Sequence, residues 1–167
     1  THCGPAWAWA SNTPFRRYKS HCHEGGISTP LIVRWPGVVP EGSMTGEVGH
    51  IIDLLPTCAD IAGAEYPETF AGKRILPVEG LPLTEVFKGG TRKGHEWLFW
   101  EWAGTRGVRH DNWKLSWDKG AKAWELYDLV ADRTETENLA NGQPDRVEAM
   151  SEQWFAWAEQ TGLKVKK

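Results

Sequence analysis

The chain has 167 residues, a formal net charge of -3 and 25% charged residues, a length that can bury the core of one domain or of a domain plus an appendage. That charge excludes the bulk basic field of a nucleic-acid binder, so no nucleic acid is expected as a partner and any anion recognition has to be local. No run approaches the ~18 apolar residues of a membrane span, so no membrane is expected either, and the 11 tryptophans point to aromatic packing layers ahead of sugar-stacking surfaces.

In chain order, Thr1-His2-Cys3-Gly4-Pro5-Ala6 is loop-like, with neither an initiator methionine nor a secretory leader, and the chain is expected to be the C-terminal portion of a longer protein. Trp7 and Trp9, set between alanines, predict an irregular aromatic approach to the next stretch. The cysteines Cys3, Cys22 and Cys58 form no C-x-x-C pair and no zinc pattern. From Asn12 to Gly37 the sequence gathers Arg16, Arg17, Lys19, His21 and His23 ahead of Glu24-Gly25-Gly26, then runs into Leu31-Ile32-Val33 between Pro30 and Pro36. The apolar run predicts a buried strand from Pro30 to Trp35. Cations on a glycine-permitted loop at the rim of a strand fit a local anion site, although from spacing alone such a run is more often a solvated face.

Val48, Ile51, Ile52, Leu55, Cys58, Ala59, Ile61 and Ala62 recur at helical spacing up to Gly63, a C-cap residue. Pro56 fits only the first turn, so the helix is expected to begin at Asp53 as its N-cap, with His50 a hydrogen-bonded structural histidine. Tyr66 to Gly80 reads as a surface loop and Leu83 to Phe87 as a short helix. Four aromatic or β-branched runs follow: Trp97–Trp102, Arg106–Arg109, Trp113–Trp117 and Ala123–Asp128. The short turns between them predict an antiparallel meander. Alternation in Trp113-Lys114-Leu115-Ser116-Trp117 predicts one packed face and one wet face. The packed face is expected under a helix from Asp145 to Gln160, whose Val147, Met150, Trp154, Trp157 and Ala158 form one stripe. Asp128, Asp132, Glu135, Glu137 and Asn138 lack calcium-loop spacing and predict caps and turn contacts. Lys164 to Lys167 predicts a frayed tail.

The string Asn12-x-Pro14-Phe15-Arg16-x-x-Lys19 with Glu24-Gly25-Gly26-Ile27-x-x-Pro30-Leu31-Ile32-Val33-x-Trp35-Pro36-Gly37 resembles the late catalytic-domain segment of type I, arylsulfatase-like sulfatases of the alkaline phosphatase superfamily. The likeness runs on through His50 to Thr57, Leu98-Phe99-Trp100-Glu101, Trp124-Glu125-Leu126-Tyr127-Asp128-Leu129, Asp132 and Asn138-Leu139-Ala140. It implies an α/β, alkaline-phosphatase-like sandwich, incomplete here, over residues 1–90, followed over residues 91–167 by an α+β subdomain with a four-stranded antiparallel sheet and a packed helix. It also implies a sulfuric ester hydrolase in which Lys19, five residues before Glu24, is the catalytic and substrate-binding ammonium that contacts the sulfate. The nucleophile, a formylglycine, and the ligands of a calcium ion are expected outside this chain, in the missing N-terminal part of the same domain. Cys3-Gly4-Pro5-Ala6-Trp7 echoes the nucleophile motif but has Trp7 in place of its arginine and lies too near Lys19, so Cys3 is not expected to be the nucleophile.

The resemblance implies a sulfated small molecule or sulfated carbohydrate as the partner, and a periplasmic or secreted location. Lys19 is expected near the C-terminal end of a strand, facing an open concave surface, within a packing unit from Asn12 to Phe87 that is separate from Glu96 to Gly162. Two rivals remain on the residues alone. One is a phosphoesterase or phosphonate hydrolase of the same superfamily. The other is a carbohydrate-binding module that stacks sugar on Trp97, Trp100, Trp102 and Trp117.

Overall fold

A computed structural model describes residues 4–165 of the chain. Its elements are α1 (Pro5–Ser11), α2 (Glu24–Ile27), a 3₁₀ turn at Ile51–Asp53 leading into α3 (Leu54–Ala62), the short strands β1 (Thr69–Phe70) and β2 (Lys73–Arg74), α4 (Thr84–Phe87), β3 (Trp97–Trp102), β4 (Thr105–His110), β5 (Trp113–Asp118), β6 (Ala123–Asp128), a 3₁₀ turn at Ala140–Gly142 and α5 (Pro144–Gln160). They fall into two compact units, Thr1–Pro30 with Glu96–Lys167, and Leu31–His95.

In the first unit β3-β4-β5-β6 form the antiparallel meander that the sequence predicts. Phe99, Val108, Leu115 and Leu126 lie in register across it and meet Met150, Trp154 and Ala158 of α5. Trp154 is fully enclosed, and its Nε1–H donates to the Trp100 carbonyl at 3.0 Å, so burying the indole leaves its donor satisfied. Phe99 stacks on Trp157 with centroids 5.3 Å apart.

The opposite face is not wet. Lys114 and Ser116, the even positions of β5, are both 0% exposed. They belong to rows made by Leu98, Arg109, Lys114 and Tyr127, and by Trp100, Gly107, Ser116 and Glu125. The segment around Arg16 to Glu24 lies on these rows: Ser116 Oγ donates to the Cys22 carbonyl at 3.2 Å, and a Cβ at Gly107 would stand 2.9 Å from that of Cys22. Alternation reports which side chains share a face, but not whether a polar face meets water or a charged partner.

This contact also corrects the expected packing unit from Asn12 to Phe87. The stretch up to Pro30 folds with Glu96 onward, because Arg16 and Arg17 find their carboxylates on β6 and β5, and Glu24 N donates to Glu135 in the turn after β6. Two local expectations change as well. Pro5–Ser11 is helical instead of irregular: Pro5 sits in the first turn, alternate alanines favour helix, and Ser11 Oγ and Asn12 Nδ2 donate to the carbonyls of Trp7 and Ala8. The stretch Pro30 to Trp35 is not a strand, and Leu31 and Ile32 are 58% and 90% exposed. A strand needs a ladder partner, and among the described residues the pairing inside Leu31–His95 is that of β1 with β2.

Within Leu31–His95, Asp53 stands at the N-cap position of α3 as expected, but its carboxylate does not cap that helix. It accepts from His50 N and Leu81 N, both at 2.9 Å, and is paired with Arg92 Nη2 at 2.8 Å and His95 Nε2 at 2.6 Å. Burial alone would raise its pKa, yet these four donors outweigh burial and hold it down at about 2. His50 is the structural histidine expected, its Nδ1 accepting from Ile52 N at 3.4 Å, and Gly63 closes α3 with φ 62°.

Candidate active-site segment

From Arg16 to Glu24 the backbone forms an arch on the polar face of the sheet. At one foot the Arg16 fork spans both oxygens of Glu125, Nη2 to Oε1 at 3.2 Å and Nη1 to Oε2 at 3.3 Å, and it also donates to the Tyr127 hydroxyl. At the other foot His23, 1% exposed, donates from Nε2 to Glu125 Oε2 at 2.6 Å. Burial alone would raise the Glu125 carboxyl, but the His23 hydrogen bond and the Arg16 charge hold it below its ordinary value. Burial, reinforced by the Glu125 charge, pushes the Tyr127 phenol up, so that group stays protonated.

Arg17 reaches sideways to Asp118, whose other oxygen accepts from Gly120 N and Ala121 N; these backbone donors, working against burial, and then the Arg17 charge, lower the Asp118 carboxyl. Beyond the arch, buried Lys114 extends its ammonium to Glu24 Oε1 at 2.7 Å and lies 2.8 Å from Glu135 Oε1, a contact of charge more than of hydrogen-bond angle. Glu135 Oε2 accepts from Glu24 N at 2.7 Å. Gly25 and Gly26 are required here by close approach, since a Cβ on either would stand 2.2 Å from the Arg17 carbonyl oxygen or 2.0 Å from that of His21.

Lys19 sits at the top of the arch, exposed, in the turn Lys19-Ser20, and among the described residues it has no hydrogen bond or ion pair. It is not at the end of a strand, because the strand expected behind it does not form. The cations of the run therefore divide: Arg16 and Arg17 are partly buried and spent on Glu125 and Asp118, which removes the reading of the whole run as a solvated face, while Lys19 faces outward. Sequence reasoning named Lys19 but missed Lys114, Glu125, Asp118 and the pairing role of Glu135. The signal available was a strand whose polar positions are a lysine and a serine, together with the carboxylates Asp118 and Glu125 on β5 and β6.

Asp132 behaves as the turn residue expected, accepting from Thr136 N at 2.6 Å and Glu137 N at 2.8 Å. Among the described residues no three His, Cys, Asp or Glu side chains are grouped as metal ligands, and the buried carboxylates are already taken by Arg, Lys, His or N–H donors, so these residues do not fit a calcium site. Cys3 lies outside the described residues, whereas Cys22 is buried against Gly107 and burial raises its thiol. The four tryptophans proposed as a sugar platform do not share a face. Trp97 and Trp117 are on the α5 side, the first stacked on His110 and the second under Arg106, while Trp100 and Trp102 lie in the opposite rows, Trp102 being 63% exposed.

Among known proteins, an uncharacterized sulfatase of Schizosaccharomyces pombe is 34% identical over 166 residues, which are 96% of this chain and 30% of that protein. The crystal structure of Ps i-CgsB superposes with a TM-score of 0.70 at 22% identity, covering 87% of this chain and 32% of that one. A structure of BT4656 in complex with its substrate D-glucosamine-2-N,6-O-disulfate superposes with a TM-score of 0.56 at 21% identity over 78% of this chain and 28% of that one. The chain thus spans about a third of the length of the proteins it resembles. The family model described as N-sulphoglucosamine sulphohydrolase, C-terminal, matches residues 16–156, from the first foot of the arch to the last third of α5, and the chain belongs to this sulfatase family.

Proposed function

We propose that this chain is the C-terminal part of a sulfuric ester hydrolase, an enzyme that cleaves a sulfate ester to an alcohol or phenol and inorganic sulfate, and that it contributes Lys19 as the ammonium facing the sulfate. The observation that carries the reading is the contrast within one run of cations: its neighbours are neutralised by the sheet, and Lys19 is left exposed and without a partner among the described residues. An ammonium held ready for the transferring sulfo group stabilises developing charge without having to reorganise, which in enzymes generally is worth about 10²- to 10³-fold in rate. The formylglycine and the calcium ion of such an enzyme would come from outside this chain; calcium, when bound, polarises the sulfate.

In the same reading, residues 1–90 end the catalytic domain and 91–167 form the small C-terminal subdomain, even though the stretch up to Pro30 packs on the latter. A sulfated carbohydrate is favoured as substrate by the sugar disulfate bound in the BT4656 structure. The test is Lys19→Ala in the full-length enzyme with 4-nitrophenyl sulfate as the probe. Turnover is expected to fall by roughly 10²- to 10³-fold, and an unchanged rate would return Lys19 to the surface.

A further inference from the structure

We propose that Glu125 is a positioning residue for Lys19, a single carboxylate that closes the arch at both feet; the proposal rests on the role assigned to Lys19 above. Arg16 stands three residues before Lys19 and His23 four after it, and both bind Glu125, the arginine through both oxygens and the histidine at 2.6 Å. One side chain of β6 therefore fixes the start and the end of the loop that carries the ammonium. The backbone between the feet is held away from its own preference: Arg17 and Ser20, on either side of Tyr18-Lys19, have φ of 66° and 78°, in the left-handed region that L residues enter at a cost. Such a conformation persists only where its surroundings over-determine it. Here they do, through the Glu125 clamp, the Arg17–Asp118 pair and the carbonyls of Arg17 and His21 packed directly on Gly25 and Gly26.

The chemistry gives this frame its purpose. An ammonium displaced by about 1 Å loses much of its effect on a developing charge, so a lysine with four rotatable bonds gains from a rigid backbone beneath it. The clamp has a second consequence. With Arg16 and His23 committed to Glu125, neither competes for the sulfate, and the anion meets the ammonium at the apex.

A double-mutant cycle in the full-length enzyme, read as kcat/KM for 4-nitrophenyl sulfate, tests this. Glu125→Gln keeps the shape and loses the charge; with cooperative melting retained, it is expected to lower kcat/KM by about 10- to 100-fold. Placed on Lys19→Ala, the same change is expected to cost less than about 2-fold further, because a residue that acts through Lys19 has nothing left to position. Losses that multiply would show that Glu125 acts elsewhere and would overturn the proposal. Should Glu125→Gln not fold, Arg16→Lys, which keeps the charge but loses the fork, is run through the same cycle with the same two outcomes. Full activity of Glu125→Gln beside a slow Lys19→Ala would remove the positioning role alone, whereas full activity of Lys19→Ala would remove the reading on which it rests.

Discussion

Strand β5 has two buried faces held by different forces. Leu115 looks towards Trp154, Met150 and the rest of the α5 stripe, while Lys114 and Ser116 look towards Glu24, Glu135 and Cys22. On the first face stabilisation follows the apolar area removed from water and has little directionality, so the parts can be judged one at a time. On the second, each charge was taken out of water at a cost repaid only by its partners, and removing one partner strands the others. In the proposed reading, the loop that carries the Lys19 ammonium is built on the second face, where geometry is enforced by directional pairs.

The contrast can be broken most sharply at Lys114. Lys114→Met is expected to destabilise the full-length protein by about 3–5 kcal/mol, because it leaves two buried carboxylates without their cation. Adding Glu24→Gln and Glu135→Leu should recover most of that loss in denaturant melts. If the single substitution proved neutral, the polar face would be wet after all.

On the apolar face Trp154→Ala should cost about 3–4 kcal/mol, since it opens a cavity and removes the indole donor to the Trp100 carbonyl. Its effect should add to that of Phe99→Leu only where the two sites do not share a cavity. Trp157→Ala, at a half-buried ring, should cost less. Gly107→Ala probes the boundary between face and arch: a Cβ 2.9 Å from that of Cys22 forces the arch to lift, at about 2 kcal/mol by urea titration. The same substitution should also slow turnover if the arch holds Lys19.

The smallest effect expected is the share of the pH dependence that comes from the charged face, beside the share of Asp53. Glu125 and Asp118 both have folded pKa values below their ordinary ones, 4.5 and 3.8. A depressed carboxylate contributes stability that is present above its unfolded pKa and is lost as pH falls through the folded value. The melting temperature should therefore be flat above about pH 5 and decline below it, and Glu125→Gln should flatten part of that decline. An unaltered acid limb in the variant would mean that the Arg16–Glu125–His23 cluster contributes no net stability.

The meander, the α5 stripe, the structural His50 and the turn at Asp132 were legible in the sequence because each is a local matter: period two, period 3.6, or a side chain reaching its own backbone a few residues on. Glu24-Gly25-Gly26 was legible as a pattern, but its reason was not, since the carbonyls of Arg17 and His21 that exclude a Cβ are placed by the arch. The strand expected at Pro30 to Trp35 failed for the complementary reason: an apolar run states a propensity, and strand formation requires a partner.

By itself the sequence determined the family, the meander and its helix, and the position of Lys19 relative to its motif. The tertiary structure decided which cations of the loop are free. Arg16 meets Glu125 across 109 positions, Arg17 meets Asp118 across 101 and Lys114 meets Glu24 across 90. Charges interact through space and carry no period along the chain, so only the closed fold assigns each to its partner and leaves Lys19 with none among the described residues.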